Sequence, residues 1–289
     1  MIIHEINKHI FYEYGQSKIN KSLRAYNVFW PSQASAKLKD DTIVGNCLRQ
    51  SFYNIRKIPA TNLPSVSKIR KMAYGNVIEA YELDKGKSAG IVVDQAVPFK
   101  LAINDHLTVS GKLDGISLID GVYKCLEYKT SAGYSFKKQI WGTETECGFP
   151  RWSHLMQVML YLDGFKDHKQ YPFDTAVIIY IDRESCLTTE FEVKMNDGFP
   201  VLDGELVESI NLKSIYERYE ELHEYLIKNI LPPCDYKPFY TIQEGAVLLK
   251  ENKITKQSFY YAKKQGYGRD MLCSFCEWSA QCQKDNHNF

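Results

Sequence analysis

The chain has no apolar run of the roughly 18 or more residues that a membrane span needs, which predicts a soluble protein with no membrane partner. Met1 to Tyr14 carries His4, Glu5, Lys8, His9 and Glu13 instead of a signal-peptide apolar core, and the expected location is the cytoplasm. No glycine-rich phosphate loop follows any predicted strand, which excludes P-loop and dinucleotide folds. Internal repeats, low-complexity tracts and long linkers are also missing. There is little net charge: +1 over 289 residues, so bulk charge does not announce a nucleic-acid partner. Basic residues do cluster locally, at Lys68, Arg70 and Lys71 and again from Lys250 to Arg269, where a solvated helix face is the simpler reading.

The remaining pattern is that of one α/β domain. Ser67 is expected to cap a helix running to about Gly86. Strands are predicted at 91–97, 106–113, 116–119 and 122–129, then a loop-like insert from Ser131 to Pro150. Trp152–Phe165 has helical periodicity, with Leu155, Val158, Met159 and Leu162 as its apolar stripe. Thr175–Ile181 reads as a central strand and 187–193 as its hairpin partner. Asn211–Ile230 is an amphipathic helix stopped by Pro232-Pro233, and Gln243–Gln265 looks helical. This order predicts a mixed central sheet flanked by helices.

Glu127 and Lys129 alternate along a predicted strand, so both point to one face. Asp114 lies shortly upstream, before a turn at Asp120-Gly121. Carboxylates of this kind are hard oxygen ligands for Mg²⁺ or Mn²⁺, and a lysine beside them can stabilise charge on a phosphodiester in hydrolysis. The Tyr128 carbonyl lies between the pair and is a further candidate ligand. Gln157 and Tyr161, four apart, share one helix face; taken alone they read as a solvent-facing pair. Glu79, four residues after Gly75, reads alone as a surface glutamate.

Eight cysteines without a secretion signal argue against a disulfide scaffold. Cys125, Cys147 and Cys186 are dispersed and are expected to be packing residues. Cys273, Cys276 and Cys282 fall in one short segment with the spacing of thiolate ligands to Zn²⁺ or an iron–sulfur cluster. A fourth ligand is required, and spacing leaves Cys47 and Cys234 both open.

Asp114, Glu127-x-Lys129 and Gln157-x-x-x-Tyr161 together resemble the PD-(D/E)xK nucleases of the RecB type, over roughly Gly75 to Val193 and including Tyr180-Ile181-Asp182-Arg183. Cys47-x-Arg49-x-x-Phe52-Tyr53, paired with Cys273-x-x-Cys276 and Cys282, is similar to the iron–sulfur branch of that family. That branch includes the AddB nuclease and the CRISPR-associated exonucleases of spacer acquisition. Trp30-Pro31-Ser32 and Leu231-Pro232-Pro233 also fit it. The resemblance implies a single nuclease domain over 1–289. Its restriction-endonuclease-like core spans about 67–230, and its cluster region is formed by about 30–60 and 231–289. It further implies metal-dependent exonuclease action on single-stranded DNA or DNA ends, in recombination, repair or CRISPR-type adaptation, with a helicase, recombinase or integrase as possible partner. A structure-specific endonuclease or a non-catalytic DNA-binding subunit are the alternatives.

Carried over by the resemblance, Asp114 and Glu127 are metal ligands, Lys129 is catalytic, and Gln157 and Tyr161 support the site. Cys47, Cys273, Cys276 and Cys282 hold a 4Fe-4S cluster, with Zn²⁺ as the alternative occupant and Cys234 as the alternative ligand. Glu79 stands where many members carry a histidine ligand, which implies a shift in preference from Mn²⁺ towards Mg²⁺. Lys137, Lys138, Trp141, Tyr260, Tyr261, Lys263 and Lys264 are candidates, on composition, for a DNA channel.

Overall fold

The structure, a computed structural model, describes residues 2–19, 25–251 and 253–287. It is a mixed α/β protein with a central mixed sheet flanked by helices. Helix α1 (Ile2–Ile19) is followed by short strands β1 (Val28–Phe29), β2 (Ser35–Lys37) and β3 (Ile43–Gly45), then helices α2 (Leu48–Ile55) and α3 (Val66–Ser88). Strands β4 (Val92–Ala102), β5 (Thr108–Ile119) and β6 (Val122–Ser131) form an antiparallel meander. Helices α4 (Tyr134–Trp141) and α5 (Trp152–Phe165) lead to β7 (Thr175–Asp182), which pairs parallel to β6. Strands β8 (Thr188–Asn196), β9 (Phe199–Leu202) and β10 (Glu205–Leu206) continue the sheet. Helices α6 (Leu212–Lys228), α7 (Ile242–Lys250), α8 (Lys256–Gln265), α9 (Met271–Ser274) and α10 (Ser279–His287) complete the described chain.

Several sequence boundaries move, for local reasons. The hydroxyl of Ser65, not Ser67, accepts from the Lys68 amide, so α3 begins two residues early. The strands expected at 106–113 and 116–119 are one, because the pairing with β4 runs on from Leu113 to Gly115 without a turn. Residues 134–141 of the expected loop are helical. Helix α6 stops at Asn229, whose left-handed backbone (φ 53°) ends it before the prolines. The segment 243–265 is two helices, the second capped by Thr255. Of the dispersed cysteines only Cys125 is a packing residue; Cys147 and Cys186 are exposed. Cys186 occupies the turn before β8 with φ 58°, where a side chain has nothing to pack against.

Helix α5 is buried on every side, Leu155 through Leu162. It sits between the sheet and a layer made of Pro31–Gln33, β3 and α6. Each fully buried Leu or Met there contributes roughly 1.5–3 kcal/mol. The opposite face of the sheet carries a smaller cluster, Leu83 of α3 with Val92, Leu126 and Val177. Gly75 interrupts α3 at a cost of about 1 kcal/mol in propensity. A Cβ there would stand 3.0 Å from the Thr130 hydroxyl, so the glycine lets α3 lie close against the end of β6. Among the described residues no helix is long and apolar enough to cross a membrane.

Candidate functional site

The sheet contains a gap. Strand β4 runs along one edge of β5 from Thr108 to Ser117. The other edge is shared: β1 pairs at Thr108 and Val109, and β6 pairs from Gly115 to Ile119. Among the described residues, no strand pairs with that edge from Gly111 to Asp114. Beyond Gly115–Leu126, then, β5 and β6 fork apart, and the next residue on each arm is Asp114 and Glu127.

The fork leaves backbone groups of β6 without a ladder partner, and side chains take over. The Tyr128 amide donates to Asp114 Oδ2 at 2.8 Å. In an extended strand the N–H and C=O of one residue point the same way, so the Tyr128 carbonyl also faces the fork. The Tyr161 hydroxyl donates to the Lys112 carbonyl at 3.1 Å and accepts from Gln157 Nε2 at 2.7 Å. Gln157 and Tyr161 are therefore buried, not solvent-facing, and they fasten α5 to the unpaired stretch of β5.

Glu127 is fully buried, and its Oε1 accepts from Lys129 Nζ. Its Oε2 is buried with no hydrogen-bond partner. Such an orphan is rare in a folded protein and calls for an explanation. Glu79 approaches from α3 and, with Asp114, lines an open cleft of about 510 Å³ beside Lys112 and Leu83. Burial, reinforced by the neighbouring Asp114 and Glu79, raises Glu127 to about 8 although Lys129 opposes the shift. Burial also raises Asp114, against Lys129 and the Tyr128 amide, and burial and Asp114 raise Glu79. Burial would lower the Lys129 ammonium, but Glu127, Asp114 and Glu79 outweigh it and hold it above its ordinary value. Three carboxylates thus surround one ammonium, an excess of acid that a divalent cation would relieve.

This donor set, a buried carboxyl at Glu127, half-buried ones at Asp114 and Glu79 and a backbone carbonyl, suits a hard cation such as Mg²⁺ or Mn²⁺. Among the described residues, no three Asp, Glu, His or Cys side chains already stand close enough to hold one ion. Lys129 stands on Glu127, so a cation would have to displace that contact.

Sequence reasoning missed two neighbours. His154 Nδ1 lies 2.8 Å from the Tyr180 hydroxyl, and burial, with Lys129 and Arg151 nearby, keeps the ring neutral. It shares a helix face with Gln157 and Tyr161, a spacing that would have found it. Ser131, two residues beyond Lys129 and on the same strand face, is buried with an unpartnered hydroxyl. Of the composition-based channel residues, Lys137 is engaged by Asp182 at 2.9 Å and Glu184 at 3.1 Å, and Trp141 packs on the core. Tyr260 and Tyr261 are exposed, and Lys263 lies over Phe259.

The cysteines form a second site. Cys47, Cys234, Cys273, Cys276 and Cys282 line one cavity. Cys47 occupies the N-cap position of α2. Cys234 and Cys282 sulfurs are 3.2 Å apart. Arg49, within the cysteine motif, joins the two ends of the chain. It donates to the Pro232 carbonyl and to Asn286 Oδ1, both at 2.7 Å, and lies 3.7 Å from Cys282 Sγ. Tyr53 donates to Asp285, and the Trp278 indole to the Ile58 carbonyl at 2.7 Å. Asp235 accepts from the Leu48 amide at 2.7 Å and from Arg218 at 2.6 Å. Five thiols round one cavity are soft donors of the kind iron and zinc take, though among the described residues no three of them stand close enough to hold one ion.

No protein-family model and no curated protein matches the sequence. One solved structure, described as the crystal structure of SSO0001, is similar over 77% of this chain and 85% of that chain, at 16% identity and a TM-score of 0.46. So distant a likeness carries no reading of function.

Proposed function

We propose that the chain is a divalent-metal-dependent deoxyribonuclease acting on single-stranded DNA or DNA ends, with a restriction-endonuclease-like core. The observation that carries this reading is the buried, unpartnered Glu127 Oε2 inside a group of acids at a break in the sheet. Asp114, Glu127 and Glu79, with the Tyr128 carbonyl, would hold Mg²⁺ or Mn²⁺. When bound, such an ion supplies a lowered water pKa and charge neutralisation on a phosphodiester.

The chain's own residues do the rest. Lys129, kept charged by its surroundings, donates from Nζ to a phosphate oxygen once freed from Glu127. Asp114 is fixed by the Tyr128 amide, so its carboxylate needs no reorganisation. Gln157 and Tyr161 are positioning residues that hold α5 over the open stretch of β5. Cys47, Cys273, Cys276 and Cys282 would bind a 4Fe-4S cluster, or Zn²⁺, as a structural staple between the two ends of the chain.

The test is cleavage of end-labelled linear and covalently closed single-stranded DNA with Mg²⁺ or Mn²⁺. Linear DNA alone should be degraded, and Glu127→Ala or Lys129→Ala should lower the rate about 10³-fold with DNA binding intact. Cutting of circles makes the protein an endonuclease. No cleavage of either substrate makes it a binding subunit.

A further inference from the structure

A second cavity, of about 450 Å³, lies between the first turns of α3 and the cysteine loop. Its walls include Leu63, Ser67, Lys68, Lys71 and Phe275. Phe275, between the ligand candidates Cys273 and Cys276, is 66% exposed, and Leu63 is 54% exposed. A phenylalanine so open on a short loop has no packing role. Lys68 Nζ stands 5.6 Å from the Phe275 ring centroid and 3.4 Å from its carbonyl. Neither Lys68 nor Lys71 makes an ion pair with a described carboxylate. The nearest acid in sequence, Glu277, accepts from the Tyr14 hydroxyl at 2.6 Å.

Lys68, Lys71, Gly75 and Glu79 follow one another at three- and four-residue steps, so they form one stripe along α3. Lys71 and Glu79 are about 12 Å apart along the axis. The stripe runs from this cavity to the cleft at Asp114.

We propose that this cavity is a nucleotide subsite for single-stranded DNA: one base stacks on Phe275 while the flanking phosphates contact Lys68 and Lys71. The proposal rests on the deoxyribonuclease reading. An exposed aromatic face beside cations that have no ion pair among the described residues is the chemistry of a stacking platform on a phosphate track. A duplex does not offer a base face, so the subsite selects single strands. It also gives the cysteine loop a task besides stapling, since whatever orders Cys273–Cys276 also holds Phe275 in place.

The test is fluorescence anisotropy of a labelled oligothymidine and of a matched duplex, with the full chain and no divalent metal. Phe275→Ala should weaken oligothymidine binding about tenfold. Lys68→Ala/Lys71→Ala should reduce the slope of log Kd against log salt by about 1.4, for two phosphates. Duplex binding should be unchanged in both, and each variant should keep the wild-type unfolding midpoint. Lys68 and Lys71 are at the surface, so the double variant remains informative if Phe275→Ala disturbs the loop. Wild-type affinity and salt slope in both variants overturn the subsite. If the wild type meanwhile cuts DNA and Glu127→Ala does not, the deoxyribonuclease reading survives that loss. A wild type that neither binds nor cuts DNA ends both.

Discussion

The acid group at the fork and the cysteine cavity are built in opposite ways. Asp114, Glu127 and Lys129 come from two consecutive strands, and Asp114 is placed by the backbone itself, through the Tyr128 amide. The cysteine cavity joins residues as far apart as 47 and 282, and its walls are placed by side-chain bonds from Arg49, Tyr53 and Trp278. One site is an excess of acid groups, and the other a ring of thiols in which burial raises Cys273 to about 12 while the contact with Cys282 lowers Cys234 to about 6. A fold tolerates the first only where secondary structure already pins the groups. The second is held by side-chain bonds between remote segments, which a cluster or Zn²⁺ bound as proposed would reinforce.

The two sites should therefore fail differently. The largest effect is expected at the cysteines: Cys273→Ser should abolish bound iron or zinc and destabilise the chain by on the order of 4 kcal/mol. Glu127→Ala should leave metal content at the cysteines unchanged and stability no lower. Elemental analysis with urea unfolding of both variants checks this, and a reversed pattern breaks the distinction.

A middle-sized effect is expected with pH. Glu127 has a folded pKa of about 8 against an ordinary 4.5, so the native state holds a proton that the unfolded chain releases. Stability of the protein without divalent ion is thus full below about 4.5 and is lost as pH rises through about 8. The urea midpoint should fall between pH 5 and pH 8, and Glu127→Gln should flatten the decline. A midpoint that climbs over this range contradicts the buried-acid account.

The smallest effect is at Tyr161. Tyr161→Phe strands the Lys112 carbonyl and the Gln157 amide, and should cost about 1–2 kcal/mol in unfolding free energy. Cleavage should change only a few-fold, because the hydroxyl positions α5. A loss as deep as that of Lys129→Ala would make Tyr161 catalytic.

These contrasts explain what could be read in the sequence. Strand alternation put Glu127 and Lys129 on one face, and the helical period found α5 to the residue. Neither period reports where two strands part, so the fork between Asp114 and Glu127 was invisible, although it decides why Asp114 meets the Tyr128 amide. Periodicity also assigned Gln157 and Tyr161 to solvent, since nothing local reveals the second layer that covers α5. Glu79 read as a surface residue because its partners lie across the gap. The cysteine spacing marked three thiols. It was silent on Asp235 and Asn286, which act only once α2, α6 and α10 have met.

The shared edge of β5 has a mechanical consequence. Near Asp114 the sheet is continuous, among the described residues, only through the ribbon of β4 and β5, because the other edge of β5 is interrupted between β1 and β6. A ribbon bends and twists more readily than a wide sheet. At this weak point the Tyr128 amide bond to Asp114 closes the fork where the ladder stops, so a single side-chain contact sets the width available between the two acids.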